Sequence, residues 1–331
     1  MEKAIAVVVS YNRQALLSEC ISALRNQTRK PDAILVVNNG STDNTESWLS
    51  DQKDIFYVTQ TNLGSGGGFN TGITWAYQKG YAWIWCMDDD GYPREDALEQ
   101  LLKHEGNERG LLNCAVLNKH DKKSFVWKTG SYATIDEVKE EAIEGIGHPF
   151  NGTLIHRSIV ERVGVPKSSL FLWGDETEYY YRIVKKNNYP VRTIASSIHY
   201  HPPAAFTYKN DWEFNSSWKM YYYVRNRFHV HKAKCANRLA AFVNYSFFLL
   251  AFAGIIMVYQ KTDKLKKLNF IVWPAVDAVR NSFDVMPADV LQKLNGTKAR
   301  QSLRLSLYFK NIWLAIFSPY TLAKRAETAN A

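Results

Sequence analysis

The chain has 331 residues, a net charge of +9, 46% hydrophobic residues and 14% aromatic residues. This apolar content is enough for the core of one large domain or two ordinary ones, and it excludes an intrinsically disordered chain. The four cysteines lie far apart without a Cys-x-x-Cys pair, so neither a disulfide scaffold nor a zinc ribbon is favoured.

The first ninety residues alternate between short apolar runs and segments with helical periodicity. Runs at residues 4–9, 33–37, 55–59 and 83–87 predict four strands, and the segments between them predict helices. The first run resembles a buried strand and not a signal peptide, so we expect a cytoplasmic protein. This alternation predicts an α/β fold with a mostly parallel sheet and helices on both faces.

Polar clusters follow three of these predicted strands, at residues 38–43, 62–68 and 88–90. Ligands bind beyond the carboxyl ends of the strands in parallel sheets, so we expect the three clusters to share one site.

Three adjacent carboxylates, Asp88, Asp89 and Asp90, end the fourth strand. Such charges repel one another unless a cation neutralises them, and Mg²⁺ and Mn²⁺ bind carboxylate oxygens and bridge to phosphates. The alternative is a solvated acidic turn in which Asp90 caps the next helix. We favour a site for Mg²⁺ or Mn²⁺.

The sequence Ile198-His199-Tyr200-His201 predicts the end of a later strand. Strand alternation places His199 and His201 on the same face, where one imidazole is a suitable ligand beside two carboxylates. Both histidines are equally compatible with an ordinary buried position.

The glycine-rich stretch NLGSGGGFNTG predicts a loop before a helix, and its backbone amides can approach a phosphate closely. A flexible loop without a ligand is the alternative. Because the stretch lacks GxGxxG spacing and follows the third strand, a dinucleotide-binding dehydrogenase is disfavoured.

Acidic residues open another predicted helix, in the sequence WGDETE at 173–178. Acids in a first helical turn usually act as caps and dipole partners. Alternatively, a carboxylate beside Trp173 is a general base for a hydroxyl nucleophile.

The sequence becomes helical after Pro202-Pro203, so we predict a catalytic domain over 1–203 and a helical region over 204–331. Fifteen Lys and Arg against five acids lie from residue 231 onward. The uncharged stretch Leu239–Tyr259 is long enough to cross a bilayer, and basic residues flank it on both sides: Lys232, Lys234, Arg238, Lys261, Lys264, Lys266 and Lys267.

Two further segments, Ile271–Phe283 and Leu303–Phe317, mix aromatic and basic residues as interfacial helices do. We favour peripheral attachment to an anionic membrane surface over a spanning helix or a soluble bundle. Nucleic acid is not expected as a partner, because no nucleic-acid-binding motif is present.

Taken together, VVVSYNR, LVVNNGSTDNT, NLGSGGGFNTG, WCMDDDGYP and FLWGDETEYYYRI resemble the family-2 glycosyltransferases of the GT-A fold. The resemblance covers about residues 4–201, and YYYVRNRF at 221–228 extends it. The combination is most similar to the galactofuranosyltransferase-like branch, with bacterial rhamnosyltransferases next.

The resemblance implies a nucleotide-sugar site and a metal site. The residues implied in the base and ribose pocket are Ser10, Tyr11 and Arg13, with Asn38 or Asn39, where many relatives have Asp. Those implied near the donor sugar or pyrophosphate are Asn62, Gly67, Gly68, Asp88 and Asp89. Asp88 and Asp90 would hold the divalent ion together with His201, or with His199 as the alternative ligand.

The resemblance also implies a catalytic base and a role for the pair Arg225-Asn226. Counting back from Arg182 places Glu176 in the base position with Asp175 before it, and we expect this pair to supply the base, with Glu176 slightly ahead. It would remove a proton from an acceptor hydroxyl in an inverting displacement. Arg225, with Asn226, would contact donor phosphate or anchor the first C-terminal helix.

The function implied is a metal-dependent inverting glycosyltransferase at the cytoplasmic face of the inner membrane. It would move galactofuranose from UDP-galactofuranose onto a lipid-linked oligosaccharide in O-antigen or capsule synthesis. A rhamnosyl- or hexopyranosyltransferase of the same fold is the first alternative, and a non-catalytic sugar-nucleotide-binding protein of the membrane surface is the second.

Overall fold

A computed structural model describes residues 2–104, 109–203 and 210–296. The chain forms two compact units, an α/β unit and a helical unit. Among the described residues, the helical unit contains 210–296 and also the three residues Leu172–Gly174, whereas Asp175 belongs to the α/β unit. The division of the sequence at residue 203 stays a prediction.

The α/β unit is built on one sheet. Its strands are β1 (Ala4–Ser10), β2 (Ala33–Asn38), β3 (Phe56–Thr59), β4 (Trp83–Asp88), β5 (Tyr92–Pro93), β6 (Leu111–Asn118), β7 (Ser124–Thr129), β8 (Tyr132–Thr134), β9 (Ala142–Glu144), β10 (Asn151–His156) and β11 (Val191–His201). Its helices are α1 (Gln14–Arg25), α2 (Thr45–Ser50), α3 (Gly64–Gln78), α4 (Ala97–Lys103), α5 (Arg157–Val163) and α6 (Asp175–Tyr181).

The main path of the sheet runs β3-β2-β1-β4-β10-β6-β11-β5. The first four strands of the chain are parallel to one another, β10 is antiparallel to both of its neighbours, and β6 is parallel to β11. The predicted α/β class is confirmed, with a sheet that is mixed beyond β4.

Helices cover both faces of this sheet, and β1 shows why its sequence is apolar throughout. Ala4, Ala6 and Val8 pack with α1 in one core, and Ile5, Val7 and Val9 pack with α3 in the other. Every residue of β1 is therefore buried, as a strand covered on both faces requires.

The glycine-rich stretch is helical from Gly64 onward, so the prediction of a loop over Gly67 and Gly68 was wrong. The reason is a close approach of α3 to β1. A β-carbon on Gly68 would lie 2.4 Å from Val9 Cγ1, and one on Gly72 would lie 2.4 Å from Val7 Cγ1. Close packing against β1 requires glycine at these positions, and this requirement outweighs the low helix propensity of glycine.

The helical unit contains α7 (Lys219–Lys234), α8 (Arg238–Tyr259), α9 (Lys264–Arg280) and α10 (Pro287–Asn295). By length and composition α8 is able to cross a membrane, with a mean hydropathy of 2.1. Most of the segment Ile271–Phe283 lies in α9, where its apolar residues pack inside the unit, which corrects the expectation of an interfacial helix. The segment Leu303–Phe317 lies outside the described residues.

A buried lysine, Lys267, stabilises the connection between α8 and α9. Lys267 is fully buried, and its Nζ donates to Asp211 Oδ1 at 2.8 Å and to Gln260 Oε1 at 3.0 Å. The same ammonium lies 4.7 Å from the ring centroid of Trp212. Lys267 is therefore a structural residue and not part of the basic flank predicted after residue 259.

We predict that Gly72→Ala destabilises the protein, because its β-carbon has no room against Val7 in the rigid strand β1. Overpacking of this kind costs about 1–3 kcal/mol of the free energy of unfolding, measured by urea titration with circular dichroism. The matched control is Gly254→Ala in α8, where a β-carbon meets nothing within 4 Å. The control is expected to gain up to about 1 kcal/mol, and equal stability of the two variants would contradict the close packing.

Candidate active site

The register of the parallel strands brings the predicted polar clusters together. Val9 of β1 pairs with Asp88 of β4, and Ser10 of β1 pairs with Asn38 of β2. Asn38 of β2 also pairs with Thr59 of β3, so the carboxyl ends of β1, β2, β3 and β4 meet at one edge of the sheet, as expected for a ligand site in this topology.

The acidic turn after β4 is held by residues from the end of β1. Ser10 donates its hydroxyl to Asp89 at 2.7 Å, and the Arg13 guanidinium contacts Asp89 at 3.1 Å and Asp90 at 2.8 Å. Tyr11 stands between them in sequence with 43% of its surface exposed. These contacts place Ser10, Arg13 and two of the three carboxylates in one cluster.

The three carboxylates have very different affinities for protons. Burial, followed by the charges of Asp90 and Asp89, raises the pKa of Asp88 well above its usual value. Burial also raises the pKa of Asp89 to about 6, although Ser10 and Arg13 oppose it. Burial likewise disfavours the Asp90 anion, but His201 and Arg13 outweigh that effect and lower its pKa to about 2. The turn thus brings together three carboxylates whose mutual repulsion a bound cation would reduce.

The two histidines of β11 have different surroundings. His201 Nε2 lies 3.3 Å from Asp90 Oδ1, and its Nδ1 lies 2.7 Å from the carbonyl oxygen of Pro202. His199 is fully buried under Gly91, where an added β-carbon would lie 2.3 Å from His199 Nε2. Burial, with the charge of His201, lowers the pKa of His199 to about 3. His201 is therefore the histidine that reaches the acidic turn.

These groups fit a hard divalent cation. A neutral His201 whose Nδ1–H donates to the Pro202 carbonyl would present its Nε2 lone pair beside Asp90, the arrangement usual for a metal-ligating histidine. The Nε2 proton through which His201 lowers the pKa of Asp90 is the one that such an ion would replace. Asp90 Oδ1 is a buried oxygen without a hydrogen bond, and Asp88 adds a second carboxylate. Within the described ranges, no three His, Cys, Asp or Glu side chains form a preassembled metal site.

The three asparagines that were expected near the nucleotide also organise the loops. Asn38 Oδ1 accepts from the Ser41 amide at 3.1 Å. Asn39 donates to the Gly64 carbonyl at 3.0 Å, and Asn62 Oδ1 accepts from the Gly64 amide at 2.9 Å. These bonds join the ends of β2 and β3 to the start of α3, and a donor contact of the three side chains stays a prediction.

Asp175 lies at the start of α6 and is fully buried. Ser65 donates its hydroxyl to Asp175 Oδ2 at 2.6 Å, and a β-carbon on Gly66 would lie 3.2 Å from Asp175 Cβ. Asp175 Oδ1 has no hydrogen-bond partner. Burial first, and the Glu176 carboxylate second, raise the pKa of Asp175 well above its usual value.

The other two acids of this turn have separate roles. Glu178 is buried and forms ion pairs with Lys167 at 2.8 Å and with Arg182 at 3.2 Å, so it is a structural residue. Glu176 is half-buried, and its charge contributes to the raised pKa of Asp88. The acidic pair and the acidic turn therefore belong to one electrostatic cluster.

Two residues near this cluster were missed by the sequence analysis. Ser65 is separated from Asp175 by 110 residues, and only its place within the glycine run distinguished it. The ring of Trp127 lies 4.9 Å from the ring of His201, and no motif around Trp127 pointed to the site.

The segment before α6 has an unusual backbone. Phe171 and Trp173 have φ angles of +67° and +56°, and Gly174 has a φ of +126°. For a residue other than glycine the left-handed region costs about 1–2 kcal/mol. Such strain persists where surrounding contacts enforce it, which is common at functional sites.

Arg225 is placed inside the helical unit. It is fully buried, and its guanidinium lies 4.9 Å from the ring centroid of Tyr222 and 5.1 Å from that of Phe283. Its Nε donates to Asn226 Oδ1 at 3.0 Å. These contacts are those of an anchor for α7, and a contact of Arg225 with the donor phosphate stays a prediction.

Comparison with known proteins identifies the family. The model of the family "Glycosyl transferase family 2" matches residues 5–164. The galactofuranosyltransferase GlfT1 of Mycolicibacterium smegmatis is 31% identical over 216 residues, which are 61% of this chain and 71% of that protein. GlfT1 of Mycobacterium tuberculosis is 30% identical over 222 residues, 63% of this chain and 73% of that protein.

Similar folds are found among solved structures. TarS (residues 1–349) of S. aureus in complex with UDP has a TM-score of 0.53 at 16% identity, covering 88% of this chain and 84% of that one. The complex of the same protein with UDP-GlcNAc has a TM-score of 0.54 at 14% identity, covering 83% and 81%. These likenesses confirm the GT-A type of fold. On the match to the family model and the similarity to the two GlfT1 relatives, the chain is a glycosyltransferase that belongs to glycosyltransferase family 2.

Proposed function

We propose that the protein is a metal-dependent, inverting galactofuranosyltransferase that uses UDP-galactofuranose and a lipid-linked glycan acceptor. The observation that carries this proposal is the cluster of Asp88, Asp90 and His201 with the acidic pair Asp175-Glu176 at the carboxyl edge of the sheet. The donor sugar is supported by the two GlfT1 relatives, which are named galactofuranosyltransferases. The UDP complexes of the S. aureus neighbour support the nucleotide.

The donor would lie against the ends of β1 and β2. The exposed ring of Tyr11 offers a face for the base, and Ser10 and Arg13 fix the acidic turn beside it. Asp88, Asp90 and His201 would hold Mn²⁺ or Mg²⁺. When bound, such an ion stabilises the negative charge that develops on the departing diphosphate.

Asp175 is the better candidate for the base, which reverses the slight preference for Glu176 that the sequence suggested. Its Oδ2 is fixed by Ser65, and its Oδ1 lacks a partner that an acceptor hydroxyl would supply. Its raised pKa brings its proton affinity closer to that required of a base at neutral pH. Glu176 acts by keeping that pKa high.

The reaction is one displacement. The acceptor hydroxyl loses its proton to Asp175 as its oxygen forms a bond to the anomeric carbon of the donor. The bond from that carbon to the diphosphate oxygen breaks on the opposite face, and UDP leaves with the electron pair. The configuration at the anomeric carbon is therefore inverted.

The acceptor is proposed to be presented at a membrane. A relative from Campylobacter jejuni, 32% identical over 124 residues, is named a glucosyltransferase of a PP-undecaprenol-linked glycan. In this chain α8 exposes a row of large apolar side chains, including Phe247 (67%), Leu250 (70%) and Val258 (72%). Basic residues adjoin both ends of α8 and would favour anionic lipids. We propose peripheral attachment at the cytoplasmic face of the inner membrane.

Separate substitutions of Asp175 and Glu176 are expected to show which of the two is the general base. Asp175→Asn should lower kcat by about 1,000-fold or more, because removal of a general base typically costs 100- to 10,000-fold. Glu176→Gln should retain measurable transfer, and the acid limb of its kcat/KM profile should move to lower pH. The sign follows because the Glu176 charge raises the pKa of Asp175, and a base with a lower pKa is deprotonated at lower pH.

The measurement is a pH series of transfer rates, with ¹H NMR of the product to read the anomeric configuration. Glu161→Gln, at an exposed acid of α5, is the matched control and should leave the profile unchanged. Full activity of Asp175→Asn would contradict the assignment of the base, and a retained configuration would contradict the single displacement.

Membrane attachment through α8 is tested by the double variant Phe247→Glu with Leu250→Glu. Each side chain would lose about 2 kcal/mol of burial in lipid, so binding to vesicles of phosphatidylglycerol and phosphatidylcholine should fall by about 1,000-fold. Co-sedimentation measures the bound fraction. The control adds the same charges to exposed positions of α10, Ala288→Glu with Gln292→Glu. Equal binding by both double variants would overturn the role of α8.

A further inference from the structure

We propose that Ser65 is a positioning residue for transfer: its hydroxyl holds one carboxylate oxygen of Asp175, so that the other oxygen is left to take the proton of the acceptor. The proposal rests on the proposed function of Asp175 as the base, because its effect on the reaction is exerted through that carboxylate. Ser65 and Asp175 both belong to the α/β unit, and so do the residues that place them.

The two oxygens of the buried Asp175 carboxylate have different surroundings. Ser65 Oγ donates to Asp175 Oδ2 at 2.6 Å, whereas Asp175 Oδ1 is buried without a hydrogen bond. Rotation of an aspartate carboxylate about its Cβ–Cγ bond has only broad, roughly two-fold preferences, so the bond itself does not fix the plane. The hydrogen bond from Ser65 supplies this restraint and determines which oxygen is held and which is free.

The backbone on both sides of Ser65 is fixed by further hydrogen bonds. The amide of Gly64 donates to Asn62 Oδ1 at 2.9 Å, and the amide of Gly66 donates to the carbonyl oxygen of Phe171 at 2.9 Å. The first turn of α3 therefore presents the Ser65 hydroxyl from a firmly held backbone. A group that orients a reacting side chain needs this kind of support, because small displacements reduce the rate.

Close packing brings the base to this turn of α3. A β-carbon on Gly66 would lie 3.2 Å from Asp175 Cβ and 3.0 Å from the carbonyl oxygen of Lys167. Glycine at this position therefore lets the Asp175 side chain begin directly against α3. Gly66 makes room for the β-carbon of the base, and Ser65 binds its carboxylate.

Ser65 also acts on the charge of the base. Burial first, and the Glu176 carboxylate second, raise the pKa of Asp175, whereas the hydrogen bond from Ser65 lowers it. An ionised carboxylate can only accept hydrogen bonds, so donation from Ser65 favours the ionised form, which is the form that takes up a proton. Ser65 and Glu176 thus act on the same carboxylate in opposite directions.

The first experiment removes the hydroxyl and then restores it. Ser65→Ala should lower kcat for transfer from UDP-galactofuranose by about 10-fold at the pH optimum, because a misplaced reacting group costs up to about 100-fold. Ser65→Thr keeps a hydroxyl on the same carbon and should restore most of the wild-type kcat. The KM for UDP-galactofuranose and the Kd for UDP measured by calorimetry should change by less than about 2-fold. An increase in both constants with an unchanged kcat would make Ser65 a donor-binding residue and would overturn the proposal.

The pH profile separates this role from a merely structural one. Without the Ser65 hydroxyl the pKa of Asp175 is higher, and a base with a higher pKa loses its proton at higher pH. The acid limb of the kcat/KM profile of Ser65→Ala should therefore move to higher pH. Below this limb the loss of kcat/KM should exceed the loss on the plateau by about 10-fold, as expected for one hydrogen bond to a charged group.

A double variant uses the opposing effects of the two neighbours of Asp175. Glu176→Gln should move the acid limb to lower pH and Ser65→Ala to higher pH, so the limb of the double variant should lie between those of the single variants. An acid limb that does not move in Ser65→Ala, or that moves to lower pH, would contradict the proposal.

The matched control is Thr28, whose hydroxyl donates to Glu99 Oε2 at the same distance of 2.6 Å on the exposed surface of the α/β unit. Thr28→Val should leave kcat, KM and the acid limb unchanged. If Ser65→Ala melts at a lower temperature but its folded fraction keeps the wild-type kcat and acid limb, Ser65 is only structural and the proposal is wrong. If Ser65→Ala does not fold, Ser65→Cys, whose thiol is a weak donor, should show the same shift, and a wild-type limb there would also contradict the proposal.

These outcomes are separable from failure of the proposed function. Full activity of Asp175→Asn contradicts the assignment of the base itself, and the role of Ser65 then fails with it. If the wild-type protein transfers galactofuranose and Asp175→Asn does not, a wild-type kcat and acid limb in Ser65→Ala contradict only the role of Ser65.

Discussion

The burial of negative charge at the end of β4 is the constraint on which the site depends. The register of β1 with β4 sets Val9 beside Asp88, and the end of β1 with the turn that follows it brings Ser10 and Arg13 to Asp89 and Asp90. One arginine beside three carboxylates leaves the turn electrostatically unbalanced. We propose that a bound cation balances this charge and that the reaction depends on that cation.

A second constraint is the closeness of α3 to the sheet. Glycines that allow α3 to lie against β1 also leave room at Gly66 for Asp175, while Ser65 binds the carboxylate. The same helix thus serves packing and the site. This is why a stretch with poor helix propensity is nevertheless helical, since tertiary contacts decide the outcome.

Much of the fold was predictable because buried parallel strands require continuous apolar runs, and the ends of those runs carried the polar clusters. The partners of Asp175 and the burial of Lys267 were not, because each depends on residues distant in sequence. Ser65 lies 110 positions from Asp175, and Asp211 lies 56 positions from Lys267. Local patterns indicate which face of an element is buried, but they contain no information on which distant side chain meets it.

The central claim is best tested by the release of UDP from UDP-galactofuranose, with UDP-galactopyranose and dTDP-rhamnose in parallel. Each donor is offered with Mn²⁺, with Mg²⁺ and with a chelator, to the wild-type protein and to Asp90→Asn. The account predicts that UDP-galactofuranose is consumed with either ion, and that the chelator or the substitution abolishes its consumption. Undiminished consumption in chelator, or consumption of another donor in its place, would contradict it.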